Sequence, residues 1–173
     1  MLQGVRTVGT PQSESDGLVP LINHGLEGTT FHFDMFELLS SCGLVKLRDI
    51  HEERCQSELK DTMKRSKLLL DYEMIRYNPN NFDRYKLDDI KSVKSDSLNV
   101  IVKKSLELWR EWETYTSNVL TNSILKYKDN MKYGIEELLK DWLLDVHDEL
   151  TFIRDLYNQL EAANWGYDSL VVT

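Results

Sequence analysis

Three long stretches of the chain repeat apolar residues with the period of an α-helix. They cover about residues 44–77, 96–128 and 131–163, and the first contains neither glycine nor proline. Apolar residues that recur every three or four positions place one stripe of each helix against a core. Each helix of about 30 residues would be about 45 Å long. The pattern predicts three long helices, and residues 20–40 could supply the fourth element needed to close the core.

Residues known for forming turns separate these helices. Pro79 and its asparagine neighbours predict a break over 78–89, and the "KDN" segment at 128–130 predicts a tight connection. A connection this short makes the last two helices antiparallel neighbours. The sequence therefore predicts an all-α protein, built as an antiparallel four-helix bundle.

The segment before residue 44 supports two local interpretations. Gly25 and Gly28 weaken a long helix, whereas Thr29 or Thr30 could begin a shorter one over about 30–40, ended by Gly43. The alternation of apolar and polar residues from 31 to 35 would equally suit a strand. The sequence does not choose between them.

The polar, glycine-containing start of the chain predicts a flexible tail at 1–18. We expect one helical-bundle domain over 19–163, followed by a C-terminal tail at 164–173. That tail ends in apolar residues, so it could dock on the bundle.

Composition narrows the range of partners and locations. The net charge is −8 and no long Lys/Arg run is present, so nucleic acid is not an expected partner. No stretch reaches the ~18 apolar residues that a membrane helix needs. Cys42 and Cys55 have no metal-finger spacing, and no signal peptide is evident. The cytoplasm is the expected location.

The last predicted helix separates its acidic residues into two groups. At about 100° per residue, Asp141 and Asp148 point toward solvent, while Asp145 and Glu149 lie one turn apart on a flank of the apolar stripe. Burial of both would require a proton or a cation between them, whereas a solvated flank requires neither. The stripe itself contains Leu139, Leu143, Val146, Leu150, Ile153, Tyr157 and Leu160.

The preceding helix places one carboxylate among apolar residues. Glu113 falls on its predicted buried face, and folding at residue 129 brings Glu113 level with Asp145. A glutamate on such a face is either paired with a basic or phenolic side chain or coordinates a cation. The expected members of this face are Leu98, Val102, Trp109, Trp112, Leu120 and Tyr127.

The helix over 44–77 has two possible buried stripes. One contains Leu44, Leu59, Met63, Leu70 and Tyr77, and the other contains Leu47, Ile50, Leu68, Tyr72 and Ile75. Helical phase alone does not select one of them. We expect His51 and His147 to be structural or surface groups, Cys55 to be a small core residue, and the tryptophans to pack in the core.

With carboxylates directed inward from facing helices, the chain resembles ferritins and, to a lesser degree, bacterioferritins. The segment "GLVKLRDI", which begins at Gly43, resembles the one that leads into the second bacterioferritin helix. The segment "YKLDDIK", which begins at Tyr85, resembles the one that follows the second helix of ferritins. In this family the bundle holds two metal ions between a glutamate from each of two helices and a Glu-x-x-His motif from each of the others.

The resemblance implies a set of iron ligands. Its members are Glu27, Glu58, Asp61, Glu113, Asp145 and Asp148, with Glu149 as the substitute for Asp148 that helical phase favours. The two halves repeat nearly the same spacing, because Glu58 follows Glu27 by 31 positions and Asp145 follows Glu113 by 32. Aspartates at 61 and 148 stand where the family has histidines. Taken without the resemblance, Glu58 and Asp61 are expected on a plain charged face, because basic residues lie nearby at Arg54, Lys64 and Arg65.

Three functions follow as hypotheses. The resemblance implies an iron-binding protein that oxidises Fe(II) with oxygen or peroxide and stores the product, because hard oxygen ligands suit oxidised iron. The alternative is a bundle without metal that binds a protein partner or assembles with itself. A Mg²⁺-dependent nucleotide hydrolase ranks below both, because the acidic residues in "HEERCQSE" have the wrong spacing for an EExxE run.

Overall fold

The computed structural model of the protein describes residues 19–72, 97–128 and 133–170. Within these ranges the chain is helical and contains no strand. This confirms the all-α class. The elements are α1 (Val19–Ser41), α2 (Val45–Tyr72), α3 (Leu98–Lys128), α4 (Tyr133–Ala162) and a short 3-10 helix (Tyr167–Ser169).

The helices pack in two pairs. Helix α1 packs along α2 in one compact unit, and α3 packs along α4 in a second unit. The two pairings are consistent with the predicted four-helix bundle. Among the described residues, no helix is both long enough and apolar enough to cross a membrane.

A glycine-centred turn joins α1 to α2 and explains why α1 ends where the sequence predicts. Gly43 has φ +71°, a conformation that other residues rarely adopt. The N–H of Gly43 donates to Ser40 O at 3.2 Å, and the N–H of Leu44 donates to Leu39 O at 3.0 Å. These two bonds form a Schellman motif, and Leu39 and Leu44, at the two positions where an apolar contact usually accompanies it, are both buried.

Helix α1 is longer than predicted. It begins at Val19 and passes through Gly25, so both the start near residue 30 and the alternative strand are wrong. Thr29 and Thr30 do not cap a helix, because their hydroxyls donate to carbonyls of the preceding turn, Gly25 O and Glu27 O, at 2.9 Å. Packing against α2 outweighs the low helix propensity of the glycines.

Packing against α1 also selects the buried stripe of α2. Leu47 and Ile50 are buried, whereas Leu59 and Met63 are 43% and 67% exposed. The second of the two predicted stripes therefore faces α1. Toward the end of α2 the buried positions become polar, at Thr62 and Arg65.

The second unit follows its predicted pattern with a small rotation. Val102, Trp109, Trp112 and Leu120 of α3 are buried as expected, but Leu98 is 50% exposed, so its predicted burial is wrong. In α4, Trp142 and Leu156 are buried, while Leu143 and Leu150 are only half-buried. The observed buried stripe of α4 is therefore rotated about the helix axis toward Trp142, because its large indole packs in the core. The buried residues of α4 are Ile135, Leu139, Trp142, Val146, Ile153, Leu156 and Leu160.

The C-terminal segment docks on the second unit, as its apolar end predicts. After α4 the backbone reverses through Asn164 and Trp165, which have φ of 50° and 63°. The Trp165 ring meets Tyr157 edge-on at 4.8 Å, and Lys103 Nζ lies 5.4 Å from the Trp165 centroid. Leu170, near the end of this segment, is buried.

Some predictions fall outside the described residues. They are the flexible tail at 1–18, the end of the first long helix at 73–77, the break over 78–89 and, apart from residue 128, the connection at 128–130.

Candidate functional site

The predicted metal ligands of the first unit already have partners. Glu58 Oε1 lies 2.8 Å from Arg65 Nη1, and Asp61 Oδ1 lies 2.9 Å from Lys64 Nζ. Glu27 Oε2 lies 3.8 Å from Nδ1 of the buried His24. Arg65 is the important member of this group, because its guanidinium is buried and carries a permanent positive charge.

Gly25 brings the backbone of α1 against this ion pair. A Cβ atom at this position would lie 3.2 Å from both Arg65 Nη1 and Glu58 Oε1 and would collide with Thr62 Oγ1. The missing side chain thus makes room for the polar end of α2. The three side chains on α2 and the backbone of α1 form a closely packed group, which we call the Arg65 cluster: Gly25, Glu58, Thr62 and Arg65.

A second polar contact between α1 and α2 joins two buried histidines. Nδ1 of His32 and Nδ1 of His51 are 2.9 Å apart, so one ring donates an N–H and the other accepts it. Phe31 meets the His32 ring edge-on, with centroids 5.2 Å apart. One turn further along α2, Cys55 Sγ donates to Thr29 O at 3.4 Å, and burial raises the pKa of this thiol. These contacts fix the register of the hairpin.

Burial keeps three histidines neutral at physiological pH. It lowers the pKa of His24 to about 4, helped by the positive charge of Arg65. It lowers the pKa of His51 to about 3, helped by Arg54. The pKa of His32 is also well below its ordinary value because of burial first, and then His51 and Arg54. The contact from His24 to Glu27 is therefore one between a neutral ring and a carboxyl group.

The second unit separates its predicted ligands by exposure. Glu113 is 5% exposed, which confirms its place on the buried face of α3. Glu149 is half-buried, whereas Asp145 and Asp148 are exposed. His147, also exposed, has Nε2 3.5 Å from the hydroxyl of Ser117. The two most shielded carboxylates are thus Glu113 and Glu149.

The described residues contain no group of three or more His, Cys, Asp or Glu side chains placed to hold a metal ion. The predicted iron ligands therefore stay a prediction. In the first unit, the structure instead buries neutral histidines and an arginine.

Sequence reasoning did not anticipate most of this polar interior. The sequence pattern does not identify His24 and His32, it predicts Arg65 only as a basic neighbour of Glu58 and Asp61 on a charged face, and it predicts His51 only as a structural or surface group. A signal was present, because the buried positions 21, 24, 25, 28, 31, 32, 35 and 39 of α1 recur at helical spacing. Two of these positions are glycines, Gly25 and Gly28, and their low helix propensity weakened the prediction of a helix here.

Compared with known proteins, the chain matches no protein-family model and no curated protein sequence.

Proposed function

We propose that the protein is a non-enzymatic helical module that binds a protein partner or assembles with itself, and that its first unit works without a metal ion. The observation that carries this proposal is the ion pair between the buried Arg65 and the half-buried Glu58, at 2.8 Å. Its guanidinium supplies the positive charge that a metal ion would otherwise bring to Glu58.

Electrostatics favours this assignment. A divalent ion at Glu58 would have to displace a guanidinium or lie beside it, and the repulsion between them is only weakly screened at a buried site. Breaking a buried ion pair by removing one partner typically costs about 3–5 kcal/mol. Asp61, the other half of the predicted motif, faces Lys64. Both carboxylates thus have cations of the chain itself as neighbours.

The outward face of α2 supplies a surface for association. Leu59 and Met63 are one turn apart and both are exposed, while polar residues occupy the buried positions nearby. Apolar side chains that lie together on a surface mark interaction sites more often than isolated ones do. Methionine also adapts its shape to a partner. We therefore place the association surface at Leu59 and Met63.

The association surface is tested by the oligomeric state. We expect purified protein to show a concentration-dependent mass above 20.3 kDa in analytical ultracentrifugation, or to bind a partner through α2. Met63→Gln should weaken either association. Leu144→Gln is the matched control, since Leu144 is similarly exposed but belongs to α4. Equal effects of the two substitutions would contradict the assignment to α2.

The metal-free assignment is tested by iron loading. Protein is incubated with Fe(II) under air, excess iron is removed, and bound iron is measured by elemental analysis and near-ultraviolet absorbance. We expect no bound iron that depends on the first unit, and Glu58→Gln should leave the result unchanged. Stoichiometric iron that Glu58→Gln removes would overturn this part of the proposal.

A second candidate function is ferritin-like binding and oxidation of iron. The burial of Glu113 favours it, because a carboxylate shielded from water on an apolar face is a typical ligand position. In this hypothesis Glu113 and Glu149 would be the iron ligands of the second unit, and the iron would be oxidised and stored.

One substitution pair distinguishes this candidate. In the same loading experiment, Glu113→Gln should remove bound iron, whereas Glu111→Gln should not, since Glu111 is exposed on the same helix. Iron binding that is absent from the unmodified protein, or unaffected by Glu113→Gln, would exclude the ferritin-like function.

A further inference from the structure

The second unit contains a cleft between α3 and α4 that neither proposed function uses. Its volume is about 520 Å³, and it is bordered by Arg110 of α3 and by Arg154 and Tyr157 of α4. In a chain with a net charge of −8, this cleft carries two guanidinium groups, and no acidic residue is among the described residues that line it. We propose that this cleft binds a small organic phosphate monoester.

Arg110 is held in place by aromatic stacking. Its guanidinium carbon lies 5.6 Å from the centre of the Tyr157 ring, which in turn meets Trp165 edge-on. A guanidinium whose face lies on a ring keeps the N–H groups along its edge directed outward. Those N–H groups match the oxygens of a phosphate, and little conformational freedom is lost on binding.

Arg154 supplies the second guanidinium. Its Nε and Nη2 atoms donate to Oδ1 of the neighbouring Asp155 at 3.2 and 3.1 Å. Both side chains are more than half exposed, so this pair contributes little and yields readily to a doubly charged ligand. Because Arg110 and Arg154 belong to different helices, a bound phosphate would bridge α3 and α4.

The size and the apolar part of the cleft indicate an organic ester rather than inorganic phosphate. Leu150 and the Tyr157 ring, both half-buried, supply apolar surface to the cleft, and its volume is within the range of small-molecule sites. Inorganic phosphate would leave these apolar side chains uncovered. A planar or apolar body attached to the phosphate would cover them while Thr151 donates a further hydrogen bond.

Phenyl phosphate is the probe, measured by isothermal titration calorimetry on the full chain. We expect it to bind more tightly than inorganic phosphate, which has no apolar body, and than benzoate, which has one fewer terminal oxygen and less charge. Arg110→Gln and Arg154→Gln should each weaken binding by about tenfold or more, the loss expected for a charge-assisted hydrogen bond. Arg110→Lys should restore it only in part, because lysine lacks the planar fork.

Arg48→Gln is the matched control. Arg48, in the first unit, donates to its neighbour Asp49 much as Arg154 donates to Asp155, and the charge change is the same. The Arg48→Gln variant should bind phenyl phosphate with the same affinity as the unmodified protein. The proposal is overturned if phenyl phosphate does not bind, if inorganic phosphate or benzoate binds as tightly, or if Arg48→Gln weakens binding as much as Arg154→Gln. None of these outcomes bears on iron loading or on association through α2.

Discussion

Mild acid should destabilise the first unit because of its neutral, buried histidines. Burial lowers the pKa of His24 to about 4 and that of His51 to about 3, and the pKa of His32 is lowered as well. In the unfolded chain a histidine has a pKa of about 6.5. Between these limits the unfolded chain binds more protons than the folded one, so the free energy of unfolding falls as pH falls.

The magnitude follows from the shifts. Each histidine that stays neutral when folded costs about 1.4 kcal/mol for every pH unit below ~6.5. At pH 5, His24 and His51 together therefore lower the free energy of unfolding by roughly 4 kcal/mol, and His32 adds to this. That is a large part of the ~5–15 kcal/mol that stabilises a typical domain. Above pH ~6.5 these histidines do not lower the free energy of unfolding. Their destabilising effect grows as the pH falls and levels off below the folded pKa values, near 4 for His24 and near 3 for His51.

Urea unfolding followed by circular dichroism measures this dependence between about pH 5 and 7.5, where most ordinary carboxylates stay ionised. His51→Gln should reduce the slope by up to about 1.4 kcal/mol per pH unit, whatever its effect on stability at pH 7.5. The control is His147→Gln, on the exposed His147, which should leave the slope unchanged. A free energy of unfolding that is constant from pH 7 to 5 would refute the reasoning, as would an unchanged slope in His51→Gln.

Three further predictions concern stability, each measured by urea unfolding. Gly25→Ala should lower the free energy of unfolding by about 1–3 kcal/mol, because the added Cβ collides with Thr62. The double variant Gly25→Ala/Thr62→Ala should regain most of this stability. A higher stability of Gly25→Ala alone would mean that helix propensity dominates. Gly43→Ala should cost about 1–2 kcal/mol through its positive φ alone, since no atom lies near the added Cβ; an unchanged stability would contradict that strain. Leu170→Ala should cost about 2–5 kcal/mol, and a negligible loss would show that the C-terminal segment is not docked.

Much of α3 and α4 could be predicted because their apolar residues recur with little interruption. Glu113 was correctly placed on a buried face and Asp148 on an exposed one. The rotation of the α4 stripe toward Trp142 could not be predicted, because residue volume and the partner helix decide which neighbouring positions enter a core. The exposure of Leu98 has the same origin, since a residue in the first turn of a helix is buried only if another element covers it.

The candidate site was less predictable than the fold. The resemblance implied metal ligands at Glu58 and Asp61, whereas their basic neighbours in the sequence favoured a plain charged face. The first unit pairs Glu58 with an arginine and Asp61 with a lysine. Spacing along a helix can place two carboxylates on one face. It does not show whether a basic side chain of the same helix reaches them first.

The sequence by itself determined that this chain is all-α, where α3 and α4 lie, and that Gly43 ends α1. These properties depend on local periodicity and on backbone conformations that one residue type adopts readily. Only the tertiary structure decided that α1 continues through Gly25, that α2 buries Arg65 while exposing Met63, and that His32 meets His51. Each of these depends on how closely α1 approaches α2. That distance is set by side chains from two parts of the chain, so the pattern of either helix alone cannot specify it.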